Sequence, residues 1–354
     1  MSIPTEPIGS IPRPDELLKA MSAYREGNLS HADLVVVQDR AVCDTVREFQ
    51  AVGSPVVTDG EQAKPSFATY PIAGLRNLSP DGVVIPYADG HHRQLPYLTA
   101  GPFRYRTFAY TYLRAAKREA RVPVKQAVVA PSALSLLYPP GGIEGYPRDR
   151  FLRDLAAQAE SDIRGCLAAG ASIVQLDFTE ARLALKLDPS GGMLRDFVAL
   201  NNRVLERFSD VERARIGVHT CPGGDHGAPH SLDVDYSALL PHLFGLRVGR
   251  FYFQLASEAQ PDRVLDAIAA QLPPGAKVFV GVTDPNDLRV EAPEEVCDRV
   301  LRATSRIPAG RIGTCDDCGF APFADDVSMT REIAFAKIRA RVEGTALAAK
   351  ELGI

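Results

Sequence analysis

His219 and Cys221 stand two residues apart, and further along the chain Cys315 and Cys318 form a C-x-x-C. On an extended segment, period-two alternation sends both side chains of a His-x-Cys pair to the same side. An imidazole and a thiolate placed so can share a metal ion. Zinc suits them, because it is borderline soft and binds Cys and His together. A catalytic zinc site takes three protein ligands and keeps one position open. The third ligand must therefore come from another segment, and Cys318 and Cys315 are the candidates. By itself the pair also describes a buried thiol beside a hydrogen-bonded histidine, but the second cysteine cluster favours a metal site. A redox role for Cys315 and Cys318 is the rival reading; Asp316 and Asp317 between the thiols oppose it by disfavouring a thiolate. Cys43, Cys166 and Cys297 lie on helical patterns and read as small core residues.

The acids come next. Glu61 follows Asp59-Gly60 at a turn, as a solvated turn acid or as a carboxylate that binds an ammonium group or acts as a base. Asp177 closes a strongly apolar run, so it is partly buried and needs a partner: a ligand, Arg182 or, as an N-cap, a helix start. His226 and His230 read as a surface loop within reach of a substrate. His91 and His92 receive no role.

These residues need elements to hold them. Short apolar runs, the mark of strands buried on both faces, occur at 56–58, 126–129, 172–176, 216–218, 251–255 and 278–282. Weaker candidates are Ile8-Gly9 and 311–313. Helical spacing fills the gaps, as in Leu152, Leu155, Ala159, Ile163 and Cys166, stopped by Gly170. Asp325 and Asp326 read as acids at the start of the last helix. Eight strands alternating with helices predict one (β/α)8 barrel domain over residues 1–354. A doubly wound open sheet is the runner-up, but no Gly-x-Gly-x-x-Gly follows a strand. Residues 70–125 fit the repeat poorly: Pro86, Pro96 and Pro102 interrupt them and Asp89-Gly90 signals a turn, so a β-hairpin excursion is expected after the second strand. In such a barrel the chemistry sits at the C-terminal ends of the strands. Those ends carry Ser10, Asp59-Gly60-Glu61, Ser132, Asp177, His219-Thr220-Cys221, Gln254, Asp284 and 315–319.

Composition narrows the function. In 354 residues, 40 Lys+Arg stand against 44 Asp+Glu, which excludes a general nucleic-acid or polybasic membrane binder. No apolar run reaches the ~20 residues of a membrane span, and the start shows no signal peptide. A cytoplasmic protein with reduced thiols is expected.

The motifs together resemble the cobalamin-independent methionine synthase superfamily, in particular short proteins similar to that enzyme's C-terminal catalytic barrel. Ile8-Gly9-Ser10-Ile11-Pro12 is similar to the family's opening, Asp59-Gly60-Glu61 to its Gly-Glu turn, and Ile173-Val174-Gln175-Leu176-Asp177 to its Ile-Gln-Ile-Asp strand. His219-Thr220-Cys221 matches its zinc pair, and Asp317-Cys318-Gly319 the Asp-Cys-Gly that supplies the last thiolate. The resemblance implies a (β/α)8 barrel with zinc on His219, Cys221 and Cys318. It implies homocysteine on the backbone of Ile8 and Ser10, with Glu61 and Asp177 on its ammonium, and methyl transfer to its thiol to give methionine.

Departures are as informative. Where the family has a zinc glutamate this chain has Gln254, with Glu258 four residues on, so either is the possible fourth ligand. Phe178 stands where the family has a second strand-four acid. Trp is 0, so a tryptophan the family sets against folate has no counterpart, nor does the long enzyme's N-terminal barrel. The zinc–thiol half of the reaction carries over better than the methyl donor, which is 5-methyltetrahydrofolate, a methyl-corrinoid protein or another small donor. The alternatives are alkyl transfer to a coenzyme M-like thiol from an epoxide or methyl-corrinoid, and a non-catalytic zinc- or thiol-binding barrel. A uroporphyrinogen decarboxylase-like reaction needs no zinc thiolates, so the cysteine motifs oppose it.

Overall fold

A computed structural model describes residues 2–354. Its centre is a parallel sheet of six strands paired in chain order: Lys125–Val129, Ile173–Asp177, Ile216–Thr220, Arg250–Phe253, Lys277–Gly281 and Ile312–Cys315. Nearly every residue in them is buried, as the continuous apolar runs require.

Neither of the two remaining predicted strands forms a ladder: the parallel bridge of the first segment falls at Thr5, with Thr314, rather than at Ile8-Gly9, and the second keeps only Val57 with Val124. Pro4, Pro7 and Pro55 explain this, since proline has no N–H to give a ladder. The two edge segments meet each other: Thr58 Oγ1 donates to Gly9 O at 2.8 Å and Ile11 N donates to Gly60 O at 3.0 Å. Eight segments thus follow one another around a (β/α)8 barrel.

Helices form the crossovers. In Arg148–Ala168 the buried Leu152, Leu155, Ala159, Ile163 and Cys166 lie on the predicted stripe, and Gly170 ends the segment at φ 90°. The last helix, Arg331–Glu351, is capped by the Thr330 side chain, which accepts from Ile333 N. The expectation that Asp325 and Asp326 serve its start is corrected here, because both carboxylates bond elsewhere. Among the described residues no helix is long and apolar enough to cross a membrane.

Of the excursion expected over 70–125, residues 78–98 form two antiparallel ribbons, whereas Leu113–Glu119 is a helix leading into the next barrel strand. Val84–Pro86 pairs with His92–Gln94 through the predicted Asp89-Gly90 turn, and Leu78–Ser79 pairs with Tyr97–Leu98. The first ribbon lies against the loop after the Ile216–Thr220 strand, with Ala88 N donating to Pro229 O at 3.1 Å. It therefore sits at the C-terminal mouth of the barrel.

Candidate metal centre

His219 lies in the Ile216–Thr220 strand and Cys221 directly follows it, so alternation points both the same way. Cys318 arrives from the loop after Ile312–Cys315. One ligand atom from each of the three residues lies within 4.8 Å of the others, and all three residues are buried. Cys221 Sγ and Cys318 Sγ are 3.0 Å apart, well beyond the ~2.05 Å of a disulfide. Both ring nitrogens of His219 are buried without a hydrogen-bond partner among the described residues. A buried imidazole with neither nitrogen satisfied is rare in a purely structural setting. Beside two thiols it fits a soft-to-borderline divalent metal. The hydrogen bond from Cys221, aided by His219, holds the Cys318 thiol well below the usual range, whereas burial pushes Cys221 up.

The thiol loop is fixed by the two acids that precede Cys318. Asp317 accepts from Leu255 N at 2.8 Å, Ala256 N at 2.9 Å and Ser257 N at 2.8 Å. Asp316 accepts from Arg341 Nε and Thr283 Oγ1, both at 2.9 Å. Gly319 permits the close pass of the first segment: a Cβ there would stand 2.1 Å from Ser10 Oγ. Cys315 takes no part. It packs with Ile8, Tyr252 and Phe279 in the barrel core.

Asp177 ends its strand in register with His219. Its partner is Gln175, whose Nε2 donates to Oδ1 at 2.7 Å; it is neither a helix cap nor a partner of Arg182. Burial, reinforced by Glu61, pushes its pKa up to about 7. Glu61 is buried rather than solvated, and its backbone sits at φ 54°, in the left-handed region. Arg13 Nη2 clamps that turn by donating to Glu61 O at 2.8 Å and Lys64 O at 2.9 Å. Lys64 Nζ reaches Glu61 Oε1 at 2.9 Å, an ion pair with both side chains buried. Ile8 and Ser10 line the same cavity. Their carbonyls already accept from Gln175 Nε2 at 3.0 Å and Phe320 N at 3.0 Å respectively.

Gln254 and Glu258 are brought to Arg182 rather than to the thiols. Arg182 Nη1 donates to Gln254 Oε1 at 3.2 Å and to Glu258 Oε1 at 2.8 Å. Its Nε and Nη2 bond the carbonyl of Val234. Among the described residues, the group of mutually close His, Cys, Asp and Glu ligand atoms consists of His219, Cys221 and Cys318.

Two residues of the site escape the sequence reading, and a third, His230, is expected from it on a surface loop within reach of a substrate. Glu180 lines the cavity, accepts from Ser132 Oγ at 2.5 Å and leaves Oε2 without a partner among the described residues. Burial pushes its pKa up to about 8. It reads in sequence as an ordinary first-turn acid, and only its place three residues after Asp177 hints otherwise. Lys64 carries no motif. His230, read as a surface loop residue, is buried on the cavity wall, and burial drives its pKa down to about 4.

The cavity measures about 1540 Å³ and reaches His219, Cys318, Glu61, Asp177 and Glu180. Pockets for one small ligand run roughly 300–1,000 Å³, so this one has room for an acceptor and a bulkier donor together.

The profile of the cobalamin-independent synthase catalytic domain matches residues 3–343. The chain belongs to the cobalamin-independent methionine synthase family. It is similar to a methionine synthase of Saccharolobus solfataricus, 24% identical over 353 residues that cover 99% of this chain and 96% of the relative. One of Sulfurisphaera tokodaii is 23% identical over 352 residues, covering 99% and 94%. Among solved structures, a B12-independent methionine synthase from Shewanella sp. W3-18-1, in complex with selenomethionine, superposes with a TM-score of 0.77 at 20% identity, covering 99% of both chains. A Listeria monocytogenes protein described as a putative vitamin-B12 independent methionine synthase gives 0.71 at 21%, covering 98% of both. At such identities the two structures speak for the fold, a barrel of this family.

Proposed function

We propose that this chain is a zinc-dependent methyltransferase that moves a methyl group onto the thiol of homocysteine, giving methionine. The observation that carries the reading is the cluster of His219, Cys221 and Cys318, which meets a cavity at His219 and Cys318, with Asp177 and Glu61 on the same cavity wall. Zinc, held by those three residues, would supply the Lewis acidity that keeps a thiol ionised at neutral pH, where a free one with a pKa of about 8.5 is mostly protonated.

The chain's own residues do the rest. Asp177 has a single neutral partner and takes the substrate ammonium, which holds its carboxylate ionised. Lys64 cancels much of the charge of Glu61, so two adjacent buried acids can coexist before the substrate arrives. Sulfur and ammonium anchored at separate points fix the nucleophile in line with the methyl group. The new S–C bond forms as the donor–methyl bond breaks, and the thiol proton leaves to solvent. The size of the cavity supports a donor larger than the acceptor, a reduced methyl-pterin or the methyl-bearing face of a corrinoid protein.

One observation favours a second reading. Because Lys64 already occupies Glu61 and burial keeps Glu180 largely protonated at neutral pH, Asp177 is left as the main anionic partner for an amine, and a thiol without an ammonium group, of the coenzyme M kind, would demand less of the site. The test compares homocysteine with an uncharged thiol of similar length, in zinc-loaded wild type and Asp177→Asn. A charge-assisted contact contributes about 1.5–3 kcal/mol, so the substitution should lower kcat/KM for homocysteine about ten- to a hundredfold and leave the uncharged thiol unaffected. A wild type indifferent to the amine would overturn the homocysteine assignment in favour of another thiol.

A further inference from the structure

We infer that Arg93, carried by the inserted ribbon, is a positioning residue for the metal centre, joining the two loops that deliver its thiols. Arg93 Nε and Nη2 donate to Asp225 Oδ2 at 2.5 Å and Oδ1 at 3.0 Å. Its Nη1 and Nη2 donate to Asp325 Oδ2 and Oδ1, both at 2.9 Å. Asp225 lies in the loop that begins with Cys221, and Asp325 in the loop that contains Cys318. One planar guanidinium thus grips both thiol-bearing loops at once, and it also stacks over Phe323 with its carbon 4.3 Å from the ring centre.

The first of those loops needs an external brace: it contains Gly223, Gly224 and Gly227, so little in its own backbone resists displacement. The second is already held beside Cys318 by Asp316 and Asp317, and Arg93 ties the first loop to it. Two thiols approaching a common point repel each other once ionised, and that repulsion pushes the loops apart. The Asp225 side chain is fully buried, and the partners that face it are Arg93 and His91, whose Nε2 lies 3.0 Å from Oδ2. Beside the bridge the same loops are tied by His226 N to Asp326 Oδ2 at 3.2 Å and, at the site itself, by the Cys221–Cys318 thiol contact. Lysine could not replace the bridge, because a point charge does not fork onto two carboxylates. The excursion between the second and third barrel units is therefore part of the metal site's support, although it contributes no ligand.

This inference rests on the metal reading of His219, Cys221 and Cys318, and the test separates the two. Apo wild type, Arg93→Met, Arg93→Lys and Asp325→Asn are titrated with Zn2+ against a chromophoric chelator. The absorption bands of the Co2+-substituted proteins are recorded in parallel. Outer partners of metal ligands typically contribute ten- to a hundredfold in affinity. Arg93→Met should bind Zn2+ about that much more weakly, Arg93→Lys should not restore it, and the Co2+ bands should shift. Asp325→Asn alters a mostly exposed side chain, so it folds as wild type does, and its expected loss is a few-fold. Wild-type Zn2+ affinity and an unshifted Co2+ spectrum in Arg93→Met would overturn the inference. So would a loss in Arg93→Met that Asp325→Asn does not share at all. If wild type itself binds no Zn2+, the metal reading fails instead.

Discussion

The barrel interior holds two buried polar clusters, and they differ in one respect. At the N-terminal end Glu6 accepts from Arg250 Nη1 at 2.7 Å and from Tyr252 OH at 2.6 Å, with Lys125 Nζ at 3.6 Å. Lys125 also donates to Pro7 O at 2.8 Å and lies 3.5 Å from the centre of the Tyr252 ring. Every charge there is answered by the protein itself. At the C-terminal end His219 has two unsatisfied nitrogens, Glu180 one unsatisfied oxygen, and Glu61 a left-handed backbone. Most side chains of both clusters are buried, Arg250 being the partly exposed exception, so burial does not separate architecture from function. Satisfaction does: a complete network holds a fold together, while incomplete groups mark where a ligand is expected.

The sharpest way to break this comparison is at the upper cluster. Cys221→Ser and Cys318→Ser should each abolish stoichiometric zinc and cut thiol methylation at least about a thousandfold, or ~4 kcal/mol of barrier. Cys315→Ser should keep both. Elemental analysis beside a methylation assay checks this, and full zinc in both serine variants would remove the metal centre.

The lower cluster should answer the opposite way. Glu6→Gln leaves Lys125 and Arg250 without their counter-charge, which costs about 3–5 kcal/mol of folding stability. Zinc content should not change. Urea unfolding measures the first and elemental analysis the second; a stable Glu6→Gln protein that lost its metal would invert the contrast.

The smallest effect comes from Glu180. Its folded pKa, raised by burial to about 8 from the ordinary glutamate value of 4.5, means the native state keeps a proton that the unfolded chain releases. Stability from this group is present at pH below about 4.5 and is lost as pH rises towards 8. Glu180→Gln keeps the Ser132 contact and carries no charge. Relative to wild type it should gain roughly 1–3 kcal/mol between pH 5 and pH 9, read from urea midpoints at the two pH values. A parallel pH dependence in both proteins would show that Glu180 is not the group responsible.

Much of the site was legible in the sequence because its information is local. Alternation along a strand places His219 and Cys221 together whatever the rest of the chain does. The end of an apolar run locates Asp177, and an unsatisfied repeat between 70 and 125 exposes the excursion. The short first and second strands were harder, since Pro4, Pro7 and Pro55 thin their ladders to single bridges.

What only the tertiary structure decided is the choice of partners. Asp177 turned to Gln175, Arg182 to Gln254 and Glu258, Glu61 to Lys64, and Arg93 to Asp225 and Asp325. Apart from the first pair and Lys64, these side chains are drawn from segments far apart in the chain, and no periodicity encodes such a meeting. The pairings arise from packing: once a charged group is buried, the nearest group able to satisfy it wins, and which group is nearest depends on how eight βα units and an inserted ribbon close around a shared mouth. The sequence by itself determined which chemistry the chain carries, because residue type and strand period are local; the fold decided which of those groups are left free to perform it.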